Sequence, residues 1–126
     1  MNWWPVQDQM WPAAERAAAE KRLAVYGTLA PGRKNHWVLE PLAGTWTEGT
    51  VQGRRVAAGW GNTEGFPAVE LDPAGDEVVV AVFESPDLPA HWERLDAFEG
   101  DEYARVVTTV TVRDRILLAN IYVVRP

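Results

Sequence analysis

From Leu23 onward, hydrophobic and polar positions alternate with a period near two, which predicts strands separated by Gly/Pro turns. Leu23-Ala24-Val25-Tyr26 reads as a buried strand stopped by Gly27, and Ala30-Pro31-Gly32-Arg33 is turn chemistry. His36 to Leu42 is a short amphipathic piece. Gly44 to Ala58 alternates loosely around Trp46, Val51 and Val56, which suits one bent strand or two, and Gly59-Trp60-Gly61-Asn62 turns the chain. Phe66 to Leu71 is a brief strand ended by Asp72-Pro73-Ala74-Gly75. Glu77 to Phe83 is apolar enough to be buried on both faces. Tyr103 to Val112 alternates with β-branched residues, and Arg113-Asp114 turns it into Ile116 to Val124, a hairpin.

Two stretches depart from that period. Pro12-Ala13-Ala14-Glu15 opens a helix reaching about Arg22, with proline in the first turn and an apolar face made only of alanines, so weak packing is expected. The second helix runs from Leu88 to Phe98, where Leu88, Trp92 and Leu95 fall at i, i+4 and i+7. Asp87 is placed to cap its start and Gly100 to end it. Many short strands with few helices predict an α+β domain whose sheet is closed or nearly so. Residues 1–22 form an extension carrying the short helix, and 23–126 form the domain.

Composition narrows the chemistry. The 126 residues suit one domain. There is no cysteine, which excludes a disulfide scaffold, an iron–sulfur cluster and a thiol nucleophile. The two histidines, His36 and His91, have no histidine three or four positions away, so no metal site is expected. A net charge of −6 with scattered basic residues gives no stripe for a phosphate backbone, so no nucleic-acid partner is expected. The longest apolar run, Val78 to Phe83, is far short of the ~20 residues of a membrane span, and no leader pattern opens the chain. A cytoplasmic protein acting on a small molecule is the expectation. Trp3, Trp4 and Trp11 either tuck against the domain or meet a partner, which could be a second copy of the chain.

Extending the second helix brings out one residue. Glu99 lies eleven positions after Leu88. At ~100° per residue it falls within about 20° of Leu88, on the buried face. A carboxylate there either loses its charge readily or finds a partner, and a raised pKa is what a general base needs near neutrality. The ordinary alternative is a helix-end Glu reaching water or pairing with Arg105. Asp96 points elsewhere on the wheel and is expected in solvent. Tyr26-Gly27-Thr28-Leu29 ends the first strand, where glycine would let a ligand approach the backbone. An ordinary strand-ending turn has the same composition.

Together these segments resemble a family. Val25-Tyr26-Gly27-Thr28-Leu29, Pro31-Gly32, Asn35-His36, then Leu95-Asp96-Ala97-Phe98-Glu99-Gly100 with Tyr103 and Arg105 beyond, are similar to the gamma-glutamylcyclotransferase-like family, gamma-glutamylamine cyclotransferase type. The resemblance runs from about Leu23 to Val124. It implies a small mixed β-barrel with flanking short helices, and release of 5-oxoproline from a gamma-glutamyl amide without cofactor or metal. It implies Glu99 as the catalytic base and acid, and the Tyr26, Gly27, Thr28 and Leu29 backbone as the grip on the glutamyl group. Tyr103 matches a pocket tyrosine, although a core tyrosine fits its strand equally. Two other readings stay open: a non-catalytic binder of a gamma-glutamyl or 5-oxoproline-like ligand, and a docking protein using the N-terminal tryptophans. A pure binder of a carboxylate ligand gains nothing from a buried Glu99.

Overall fold

Valine alternating with small or polar residues produces the strands. The structure, a computed structural model, describes residues 11–26, 36–57, 67–101 and 103–124. Its elements are α1 (Ala13–Ala19), β1 (Arg22–Val25), a 3-10 turn (His36–Val38), β2 (Thr45–Ala57), β3 (Pro67–Leu71), β4 (Asp76–Glu84), a second 3-10 turn (Leu88–Ala90), α2 (Trp92–Glu99), β5 (Tyr103–Val112) and β6 (Arg115–Val124). The expected turns at Ala30–Arg33 and Gly59–Asn62 lie outside the described residues, as do Trp3 and Trp4; Trp11 is half-buried.

The strands bond in the order β3-β2-β4-β1-β6-β5, and Thr50 of β2 pairs with Thr111 of β5. That pairing closes β2, β4, β1, β6 and β5 into a barrel and leaves β3 on the outer edge of β2. β1 and β6 run parallel, with Leu23 beside Asn120. The other pairs are antiparallel. The architecture is therefore α+β, a small mixed β-barrel with short flanking helices.

Alternation sorts the core into two layers. Ala24, Val51, Val80, Val82, Val110, Ile121 and Val123 belong to the cluster inside the barrel. Leu23, Val25, Phe83 and Tyr122 face outward and pack with Val38, Leu39, Leu42, Leu88, Trp92 and Leu95. β1 is buried at all four positions because both of its faces are covered. The same was expected of β4, and the structure corrects it. Val78, Val80 and Val82 point inward, but Val79 is 50% exposed and Glu77 is in solvent. Helices cover β1 and β6 rather than the middle of β4.

β2 is one strand of 13 residues that changes partner. Thr45 to Gly53 pairs with β4, and Gly53 to Ala57 pairs with β3. A Cβ on Gly53 would stand 2.2 Å from the Glu70 carbonyl oxygen, so the changeover requires glycine. The hairpin follows the sequence closely, with Val112 opposite Arg115 across Arg113-Asp114.

The helices depart from expectation. α1 ends at Ala19, with Pro12 at its N-cap, and Arg22 belongs to β1. Its hold on the barrel is polar. Glu15 accepts the Leu118 N–H at 2.8 Å and pairs with the buried Arg22, which also donates to the Leu118 carbonyl at 3.0 Å. Burial alone would raise the Glu15 pKa, but these donors hold it below the usual carboxylate range. The second helix is not continuous from Leu88. Leu88 precedes Pro89, a position that disfavours helical backbone, and α2 begins at Trp92. Asp87 makes no side-chain cap; its Oδ2 accepts the Ala43 N–H at 3.0 Å. Among the described residues no helix is long and apolar enough to cross a membrane.

Gly53→Ala should lower the melting temperature by ~5–10 °C, because the added methyl meets backbone that cannot rotate away, an overpacking cost of about 1–3 kcal/mol. Thermal melts of the variant beside wild type check this; an unchanged melt would show that the β2 changeover tolerates a side chain.

Candidate active site

The site is built at one end of the barrel, where α2 runs out. Trp92, Leu95 and Glu99 follow one another at i, i+3 and i+7, so the carboxylate continues the stripe that buries Trp92 and Leu95. Starting the helix at Trp92 instead of Leu88 leaves this face unchanged. Glu99 is the last helical residue, where the backbone carbonyl dipoles oppose a negative charge. Gly100 then turns the chain away at φ 88° and ψ 179°. Those angles are essentially glycine-only, and they are extended rather than the left-handed helical cap that was expected. The Tyr103 N–H closes back on the Gly100 carbonyl at 3.3 Å, which starts β5 directly after the helix.

Glu99 is half-buried, and burial pushes its carboxyl up from 4.5 to about 7. The sequence left open a pairing with Arg105, and the structure rules it out. The Arg105 Nε donates to Asp96 Oδ1 at 2.8 Å, and its Nη1 donates to Asn120 at 2.9 Å. Asp96 also accepts the Tyr122 hydroxyl at 2.7 Å. Asp96 is exposed, as expected, and is also the partner of two donors. Burial would raise its pKa, but the Arg105 and Tyr122 hydrogen bonds bring it below the usual range. Two carboxylates three positions apart on one helix are therefore driven in opposite directions.

Tyr26 and Tyr122 lie within electrostatic reach of Glu99, and Tyr103 within reach of Tyr26. The Tyr26 hydroxyl, at the end of β1, donates to the Tyr122 carbonyl at 2.6 Å. Burial pushes its pKa up first, and the Glu99 charge and the Tyr103 phenol add to the effect. Burial likewise raises Tyr122, helped by Asp96 and by Glu99. Tyr103 is half-buried against the outer layer, alongside Phe98. So the structure brings Tyr26, Glu99 and Tyr103 together. Gly27, Thr28 and Leu29 lie outside the described residues. The chain re-enters at the His36–Val38 turn, which is fastened to α2: Arg94 donates to the Val38 carbonyl at 3.1 Å, and Trp37 meets Phe98 edge-on at 6.2 Å. Sequence reading missed Tyr122, because an aromatic on an alternating strand looks like core.

The barrel and the sequence segments that build it have counterparts among known proteins. The model of the family described as gamma-glutamyl cyclotransferase, AIG2-like, matches residues 23–126. The chain belongs to the AIG2-like gamma-glutamyl cyclotransferase family. Solved structures share its fold, an AIG2-like protein among them. YkqA from Bacillus subtilis is 28% identical with a TM-score of 0.65, over 83% of this chain and 36% of that one. This chain thus spans about a third of YkqA. An AIG2-like protein from Mus musculus is 23% identical with a TM-score of 0.65, over 82% of this chain and 76% of that one. The protein c4763, specific to uropathogenic E. coli, is 21% identical with a TM-score of 0.59, over 83% and 79%. At these last two identities the likeness shows the barrel fold. No curated protein matches the sequence.

The raised pKa of Glu99 has a consequence for the stability of this cyclotransferase-family barrel. Between about pH 4.5 and 7 the folded state keeps a proton that the unfolded chain releases. The group's contribution is therefore full below 4.5 and is lost as pH rises through 7. Glu99→Gln, neutral throughout, should melt close to wild type at about pH 5 and above it at about pH 8.5, by up to roughly 2–3 kcal/mol. Melts at the two pH values check this, and a pH-independent gap would mean that Glu99 titrates as an ordinary surface carboxyl.

Proposed function

We propose that the protein releases 5-oxoproline and a free amine from a gamma-glutamyl amide, with Glu99 as the only acid–base group. The observation that carries this reading is the Glu99 carboxyl, desolvated to a pKa of about 7 and without an ion pair among the described residues, in a chain of a cyclotransferase family. The substrate's α-amine attacks its own γ-carbonyl carbon. A C–N bond forms, closing the five-membered ring, and the amide C–N bond breaks. Two protons leave the α-nitrogen, one before the attack and one from the ring-closed tetrahedral adduct. Glu99 relays them in turn to the departing nitrogen, which leaves as an ammonium, so the carboxylate is regenerated and no water is consumed. One group serves both transfers because its pKa lies near the working pH. The attack is intramolecular, so holding the substrate folded removes several kcal/mol of the barrier.

The family resemblance gives the grip on the glutamyl group to the backbone of Tyr26, Gly27, Thr28 and Leu29, where N–H groups would also face the developing oxyanion. Tyr26 suits this role, since its hydroxyl is already engaged with β6 and its main chain directly follows β1. Tyr103 orients the substrate from the first residue of β5. Gamma-glutamylamines are the substrates the motif resemblance favours, and the net charge of −6 steers a cationic amine toward the protein.

A panel of gamma-glutamyl amides assayed for released 5-oxoproline tests the reading. Wild type should turn over at least one of them, with kcat/KM rising as pH rises through about 7. Glu99→Gln should lose at least ~10²-fold in turnover. Its affinity for 5-oxoproline by calorimetry should persist. A folded variant that keeps most of its activity would remove Glu99 from the mechanism.

A further inference from the structure

One guanidinium fastens the helix that carries Glu99. Arg105 projects from β5, directly opposite Tyr122 on β6. Its Nε and Nη2 reach both oxygens of Asp96, at 2.8 and 3.4 Å, and its Nη1 reaches Asn120 Oδ1 at 2.9 Å. Its carbon centre lies 4.2 Å from the centroid of the Trp92 ring. Trp92 and Asp96 stand seven and three residues before Glu99 on α2. Asn120 is 2% exposed and carries the connection onward, donating to the Ala19 carbonyl at the end of α1 at 2.8 Å. The same arginine thus touches α2 at two successive turns and ties it to β5, β6 and, through Asn120, α1.

Strength alone does not account for this arrangement. The Asp96 side chain is 45% exposed, and so open an ion pair adds little to stability. Direction is another matter. The fork of N–H groups fixes Asp96 in plane, the Tyr122 hydroxyl fixes it from the neighbouring strand, and the stacked Trp92 stops the helix from rolling. Glu99, at the free end of an eight-residue helix, has no such tie of its own among the described residues.

We propose that Arg105 is a positioning residue, which clamps α2 through Asp96 and Trp92 and so sets where the Glu99 carboxyl meets the substrate. The proposal rests on the reading of Glu99 as the base. A lysine at 105 keeps the charge but cannot reach both Asp96 oxygens, Asn120 and the indole face at once. A small misplacement of a base costs rate rather than binding.

The test is Arg105→Lys in wild type and in Glu99→Gln, with 13C-labelled glutamate. On an accepted gamma-glutamyl amide, kcat should fall roughly 10–100-fold with KM within about threefold. In the Glu99→Gln background the same change should cost less than about twofold, because both act through one carboxyl. The Glu99 13C resonance, assigned by its loss in Glu99→Gln, should titrate at lower pH in Arg105→Lys, as water reaches a helix end no longer held. The charged groups facing it through this contact are Asp96 and Arg105, with the hydroxyls of Tyr26, Tyr103 and Tyr122. Asp96→Asn should act in the same direction and serves if Arg105→Lys fails to fold. Wild-type kcat with an unmoved Glu99 titration, or a rate loss additive with Glu99→Gln, would overturn the proposal. If wild type releases no 5-oxoproline from any amide, the cyclotransferase reading falls, while the Glu99 titration still decides whether Arg105 holds the helix.

Discussion

Closure of the barrel governs everything around it. Once β5 returns to β2, the strands β1 and β6 lie side by side, and their outward faces carry Leu23, Val25, Leu118 and Tyr122. An apolar outer face must be covered, and α1, α2, the second 3-10 turn and residues 38–42 cover it. α2 brings Trp92 and Leu95 down onto that face. Glu99 follows because it shares their helical stripe. The carboxyl is desolvated as a by-product of covering the barrel, and that burial is what raises its pKa.

The second constraint is the division of labour between two carboxylates. Asp96 and Glu99 share the last turn of α2, yet Asp96 takes the guanidinium and a phenol while Glu99 takes neither. If Arg105 were shared, its charge would favour ionised Glu99 and lower its pKa. Committing the cation to Asp96 protects the tuning of its neighbour. The tyrosines reinforce it: the hydroxyls of Tyr26 and Tyr122 are spent on a carbonyl and on Asp96, leaving neither to donate to Glu99.

The fold was largely legible along the chain because strand and hairpin signals are local. The β5–β6 register follows from alternation and a two-residue turn, and the α+β class follows from many short strands. Where local signals met long-range packing, the reading failed in specific places. The apolar run in β4 suggested burial on both faces, but its partner strands, not its own composition, decided which face a helix would cover. The Leu88–Phe98 periodicity suggested one helix, and Pro89 broke it into two pieces. α1 seemed weakly held because its hydrophobic face is alanine, and its anchor turned out to be Glu15 on the backbone of β6.

The sequence by itself determined that Glu99 continues the buried stripe of its helix. Helical period and motif both reach Glu99, since a wheel position and a short motif need no knowledge of the rest of the chain. Tertiary structure alone decided the environment of that residue. Arg105 is nine positions from Asp96, and Tyr122 is 26 from it, separations that no local period links. Whether Arg105 pairs with Asp96 or Glu99 depends on how α2 lies across β5 and β6, and only barrel closure sets that angle. The place of Glu99 on the buried stripe is a property of the helix; its raised pKa is a property of the packed barrel.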